Sequence, residues 1–111
     1  MRKALLVLLA SLVLAPAAAA APPGADARFA TFNASLNRNF AGQLIADLTT
    51  TTNAQARNAA ETIQRVRPDV VLINEFDYDA AGTALRLFQD NYLSIGQNGA
   101  APSRPRRSRT R

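Results

Sequence analysis

The chain has 111 residues, room for one domain at most. It contains no cysteine and no histidine, which excludes disulfide staples, thiol catalysis, cysteine-ligated zinc and a histidine acid or base. Its net charge of +5 equals the five arginines at 104, 106, 107, 109 and 111, so the rest of the chain is formally neutral and the basic character belongs to a terminal tail.

The chain opens on the short basic stretch Met1-Arg2-Lys3, followed by an almost wholly apolar run over 4–15 and a small, alanine-rich stretch over 16–21. That three-part layout is that of a secretory signal peptide. The apolar run falls short of the roughly 20 residues a membrane span needs. Residues 1–20 are therefore expected to be an export signal and not a stable membrane span. The cut is placed after Ala20, with Ala25-Asp26-Ala27 as a second candidate, and the mature chain is expected in the periplasm or outside the cell. Residues 21–27 read as a linker.

Phe29, Thr31 and Asn33 alternate against Ala30 and Phe32, which predicts a strand ending at Asn33. The asparagine-rich stretch 34–40 reads as a loop. Leu44, Ile45 and Leu48 have the spacing of one or two helical turns. Thr52-Asn53-Ala54-Gln55 has the form of a capping box, with Thr52 as N-cap and Gln55 three residues on. Behind it Ala56, Ala59, Ala60, Ile63 and Val66 form one apolar stripe, and Arg57, Asn58, Glu61, Gln64 and Arg65 fill the opposite face. Pro68 ends that helix by Arg67. The β-branched run Val70-Val71-Leu72-Ile73 then reads as a strand buried on both faces, with Glu75 at its carboxyl end.

A helix between two strands implies a parallel pair with a right-handed crossover. Asn33 and Glu75 are thereby expected at the same edge, the carboxyl rim where open α/β sheets bind ligands. Further on, Ala81, Ala84, Leu85, Phe88 and Tyr92 keep helical spacing, with Asp79 as N-cap. Residues 93–95 fit either an edge strand or a frayed helix end, and 96–101 a turn-rich loop. From 102 onward only arginine, serine, proline and threonine occur. That shift fits either a natural disordered tail or an out-of-frame end on a truncated chain, the second being the working hypothesis.

Glu75 is the first candidate for chemistry. A carboxylate on rigid scaffold suits Mg²⁺, which takes oxygen ligands, commonly one or two carboxylates with waters and substrate phosphates. The competing reading is a strand-end carboxylate or a helix cap. Asn33 could orient a phosphate or a carboxylate, or could be an ordinary turn residue; Asn33-Ala34-Ser35 also matches a glycosylation sequon. Asp77 and Asp79 could add charge near a metal; the favoured reading has Asp77 solvated and Asp79 as a helix cap.

The segment Phe29-Ala30-Thr31-Phe32-Asn33, followed about forty residues on by Arg67-Pro68-Asp69-Val70-Val71-Leu72-Ile73-Asn74-Glu75, resembles the opening of the endonuclease/exonuclease/phosphatase superfamily. The resemblance covers residues 28–101, a partial domain, and Asn74-Glu75-Phe76-Asp77-Tyr78-Asp79 is similar to an exported bacterial branch. It implies the N-terminal part of a four-layer α/β/β/α sandwich and Mg²⁺-dependent hydrolysis of phosphodiesters or phosphomonoesters. In that frame Glu75 matches the metal-binding glutamate, and Asn33 the active-site asparagine near the metal. The family's catalytic histidines come from later strands, and this chain has none. The expectation is thus a truncated family member, inactive by itself, with a strand face left open. The second expectation is a small secreted non-enzymatic protein that binds a partner or nucleic acid through its tail.

Overall fold

The computed structural model describes residues 26–103. The signal-peptide segment 1–20, most of the linker 21–27 and residues 104–111 of the tail lie outside the described residues. Strand β1 (Phe29–Leu36) is followed by helix α1 (Gln43–Leu48), helix α2 (Ala54–Val66), strand β2 (Val70–Phe76) and helix α3 (Thr83–Phe88). The last continues into a π-helical turn, Gln89–Leu93. The strands form a two-stranded parallel sheet joined through the two helices, as the order strand, helix, strand requires.

The pairing runs in regular register from Phe29 opposite Val70 to Asn33 opposite Asn74, then breaks. Ala34 and Ser35 together face Glu75 before Leu36 meets Phe76. This is a β-bulge, one extra residue in β1, of the kind that re-aims side chains beside functional sites. Strand β1 therefore does not end at Asn33. It runs three residues further because Ala34 and Leu36 are buried under the helices, and that burial outweighs the asparagine-rich composition.

Helices cover one face of the sheet only. Phe32, Ile73 and Phe76 pack against the core, and Ala34 and Leu36 belong to it. On the other face Phe29, Val70 and Leu72 are 72%, 53% and 61% exposed. The expectation of a strand buried on both faces thus fails for β2 within the described residues. An apolar β-branched run reports the apolar character of both faces, but not whether anything covers the second.

Helix α2 carries the core. Ala56, Ala59, Ala60 and Ile63 are buried, and the alanines let the helix lie close to its neighbours. The N-cap is Asn53 rather than Thr52: its Oδ1 accepts the Ala56 N–H at 3.0 Å. With Asn53 as the cap, the third helical residue is Ala56, which has no polar side chain to reach back, and Gln55 bonds the Ser35 carbonyl instead, so a single cap replaces the reciprocal box. The helix ends at Arg67, which adopts the left-handed conformation (φ 52°) and donates its N–H to the Ile63 carbonyl, just before Pro68.

Two positions on α2 depart from the stripe. Val66, at the end of the helix, is 46% exposed. Gln64, expected on the polar face, is 1% exposed. Its Nε2 donates to the Leu93 and Ile95 carbonyls at 3.0 and 2.7 Å, and its Oε1 accepts the Gln97 N–H at 2.9 Å. A buried amide is tolerated because every polar atom has a partner, and among the described residues no buried side-chain nitrogen or oxygen is left without one.

Helix α3 begins later than its stripe predicts. Gly82 takes the N-cap position at φ 66°, and the Asp79 side chain, three residues upstream, accepts the Thr83 and Ala84 N–H groups at 2.7 and 3.0 Å. Of the stripe, Ala84, Phe88 and Tyr92 are buried, whereas Leu85 is 45% exposed. Residues 93–95 are not an edge strand but the end of the helix, where Leu93 closes the π-helical turn and Ser94 caps it. The two N–H bonds hold the Asp79 carboxyl below its ordinary value of 3.8. A carboxylate whose folded-state pKa is depressed adds stability above its unfolded value and loses it as pH falls through the folded one. Acidification below about pH 3.8 is accordingly expected to loosen α3. Asp79→Asn removes that part of the acid sensitivity, read as amide-exchange protection of Thr83 and Ala84 against pH.

Candidate functional site

The carboxyl rim of the sheet assembles from the end of the regular pairing. Asn33 and Asn74 are register partners, and Glu75 follows directly. The inference that parallel strands deliver Asn33 and Glu75 to one edge is met by this topology. Both lie exposed.

What organises the rim is Ser35, which sequence reasoning passed over inside a presumed loop. Ser35 and Glu75 both sit at φ 51°, in the left-handed region that non-glycine residues seldom adopt. The two conformations lie within the bulge; the period-two alternation holds on β1, through Ala34 and Leu36, and breaks on β2. On β2, Ile73 and Phe76 both pack against the core, with Asn74 and Glu75 exposed between them. All three polar groups of Ser35 are engaged. Its N–H donates to Asn33 Oδ1 at 3.0 Å, and its hydroxyl donates to Glu75 Oε2 at 3.5 Å. Its carbonyl accepts from Gln55 Nε2, at the start of α2. The signal that could have found Ser35 is its place two residues after Asn33, on the same face of a strand.

Three carboxylates stand at the end of β2 and just after it, Glu75, Asp77 and Asp79, and their duties differ. Asp79 caps α3. Asp77, expected to be solvated, instead accepts the Arg38 N–H on both oxygens at 3.1 Å. Arg38 in turn pairs with Asp47, Nε to Oδ2 at 2.7 Å. This chain of contacts ties the β1–α1 loop to the end of β2 and closes one side of the rim. Among the described residues Glu75 has only the long hydroxyl contact, which leaves most of its carboxylate lone pairs open there.

The donor set limits which ion fits. Among the described residues no three acidic side chains converge as a metal cage. One exposed carboxylate could hold at most an ion that keeps most of its own waters, as Mg²⁺ does. It does not match Ca²⁺, which takes six to eight oxygens. Beyond the rim, a groove of about 350 Å³ runs along β2 and α3 and is lined by Ile73, Phe76, Asp77, Tyr78, Asp79 and Leu85, among others. A recess of about 500 Å³ at the opposite end of the strands is lined by Arg28, Arg67 and Asp69. There Asp69 Oδ2 accepts the Arg28 backbone N–H at 2.8 Å. No helix among the described residues is long and apolar enough to cross a membrane.

No family model, curated protein or solved structure matches this chain.

Proposed function

We propose that the rim of Asn33, Ser35 and Glu75 is the metal-binding edge of a Mg²⁺-dependent phosphoester hydrolase site. The observation that supports this reading is the parallel pairing that sets Asn33 beside the exposed Glu75 at a strained bulge. Glu75 is the carboxylate that holds the ion, and Asn33 stands next to it as the polar group facing a phosphoryl oxygen. A bound divalent cation supplies charge neutralisation at the phosphoryl group. The fold that belongs with this function is the N-terminal part of a four-layer α/β/β/α sandwich. The one-sided helix cover supports it, since the apolar face carrying Phe29, Val70 and Leu72 is of the kind a second sheet would pack on. With one uncommitted carboxylate at the rim among the described residues and no histidine in the sequence, the chain alone is inactive in this reading: it has no histidine general base, and the neighbouring Asp77 is engaged by the Arg38 N–H. The apolar start over 4–15 supports export of the chain.

Paramagnetic Mn²⁺ is the probe for this site. Millimolar Mn²⁺ is expected to broaden the amide resonances of residues 33–36 and 74–76 in the full chain. Glu75→Gln removes the effect, whereas Asp90→Asn on the π-helical turn leaves it in place. Broadening that survives Glu75→Gln, or that centres elsewhere, sinks the reading.

A second reading draws on the charge distribution. All eight acidic residues but only six of the thirteen basic ones fall within 26–103, so nucleic-acid affinity in this chain would reside in the arginines of the tail. In that reading the protein is a small exported binding module and the rim is incidental.

A further inference from the structure

We infer that Asn98-Gly99 is a self-modification site: Asn98 converts to aspartate and isoaspartate by attack of the chain's own backbone, the turn that carries it holds the reaction back, and the product carboxylate releases the 96–100 loop. The inference is independent of the proposed phosphoester site. The chemistry is internal to the dipeptide. The Gly99 backbone nitrogen bonds to Asn98 Cγ and closes a five-membered succinimide. The Cγ–Nδ2 bond breaks, and the amide NH₂ leaves as ammonia with the proton from the Gly99 N–H. Water then opens the ring at Cγ, giving aspartate, or at the backbone carbonyl, giving isoaspartate. The attack needs close approach of the following nitrogen, and a residue without a side chain obstructs it least. Asn98 is the one asparagine of the chain that precedes glycine, and both residues are exposed to water.

The turn sets the rate. Ala100 donates its N–H to the Gln97 carbonyl at 2.8 Å, and the two central residues lie at positive φ, 46° for Asn98 and 79° for Gly99. That is the pattern of a type I′ turn, which Asn-Gly favours. Asn98 Nδ2 donates to Glu61 Oε2 at 2.6 Å, and the Asn98 carbonyl accepts from Arg65 Nη2 at 2.9 Å. Side chain and backbone are thus both tied to helix α2. Cγ must turn toward the Gly99 nitrogen for the ring to close, and the Glu61 contact restricts that rotation.

The same contact makes the product a poor fit. Aspartate at 98 has no N–H to give Glu61, and it sets two carboxylates within hydrogen-bond distance of each other, which disfavours the charged form of both. Arg65 already pairs with Glu61 Oε1 at 2.8 Å and can offset only part of the added charge. Isoaspartate adds a carbon to the main chain inside a turn closed by a single bond. The disturbance reaches the core through Gln97, which is buried and donates its N–H to the buried Gln64 Oε1 at 2.9 Å.

The full chain, incubated in mildly alkaline buffer with and without urea and mapped by peptide mass spectrometry, tests the site. Asn98 is expected to convert ahead of every other asparagine, and several-fold faster in urea than in the native chain. Glu61→Ala speeds the native reaction about threefold and leaves the rate in urea unchanged. Asn98→Asp lowers the amide-exchange protection of Gln97 about threefold. Adding Glu61→Gln to Asn98→Asp sets a donor opposite the new carboxylate and restores that protection. Conversion at another asparagine first, equal rates with and without urea, or unaltered Gln97 protection in Asn98→Asp overturns the inference. So does a loss of protection that the double variant leaves unrepaired, since the conflict with Glu61 is what releases the loop.

Discussion

Replacing Tyr92 by alanine is expected to abolish cooperative unfolding of the chain. The Tyr92 ring is fully buried and stacks on Phe88 at 6.1 Å between centroids, and Phe88 meets Phe76 edge-on at 5.7 Å. This row joins the π-helical turn to α3 and to the end of β2. The Tyr92 hydroxyl reaches further: it donates to the Thr50 carbonyl at 2.6 Å and accepts the Asn53 N–H at 3.2 Å. Asn53 is the cap of α2, so one phenol anchors the start of the helix on which the core is built. Removing a large aromatic from a core costs about 3–5 kcal/mol. A domain of this size has a total stability on the order of 4–12 kcal/mol, and the open sheet face places this one at the low end. Tyr92→Phe isolates the hydroxyl. It leaves a carbonyl and an N–H short of a partner and costs about 1–3 kcal/mol. Urea unfolding followed by circular dichroism checks both; a Tyr92→Ala midpoint equal to that of the parent chain refutes the anchoring role.

The second large effect concerns the tail, and it decides between the two functional readings. If the five arginines within 104–111 contact duplex DNA, log K falls with log salt at a slope of up to about −4.5, from about 0.9 per phosphate neutralised. Between about 50 and 200 mM salt this is a loss on the order of 500-fold in affinity. Deleting residues 104–111 abolishes both the affinity and its salt dependence, and Glu75→Gln changes neither. Fluorescence anisotropy with a labelled duplex measures all three. The binding-module reading requires that pattern. Affinity retained without the tail rules it out, because the described residues carry more acid than base. The phosphoester reading is judged separately, by Mn²⁺ at Glu75.

Acid conditions test the electrostatics independently of either function. Besides Asp79, the Glu61 carboxyl is held below its ordinary value of 4.5, chiefly by Asn98 and then by Arg65. Asn98 Nδ2 donates to Glu61 Oε2 at 2.6 Å, and Arg65 Nε meets Oε1 at 2.8 Å. Both depressed groups work in the same direction, so stability is lost on acidification rather than gained. The Asn98 contact also pins the loop that returns to Gln64, so the 96–100 turn is expected to loosen together with α3.

The strand pair, the crossover through helix, the stop before Pro68 and the joint delivery of Asn33 and Glu75 to one rim were legible in the amino-acid sequence. Each follows from a local rule: alternation along a strand, a 3.6-residue stripe, and a proline that cannot continue a helix. Tertiary structure alone decided what depends on a partner distant in the chain. Gln64 looks like a surface residue until the 93–97 loop arrives to satisfy its amide. Asp77 looks solvated until the Arg38 backbone turns toward it. Strand β1 passes Asn33 because the helices bury Leu36. Ser35 gained its place because one residue more on β1 than on β2 must be absorbed between Asn33 and Leu36, and the left-handed bulge that absorbs it brings a hydroxyl to a carboxylate. Periodicity records which face of an element is apolar; only the folded chain specifies what lies against that face and which polar groups it brings there.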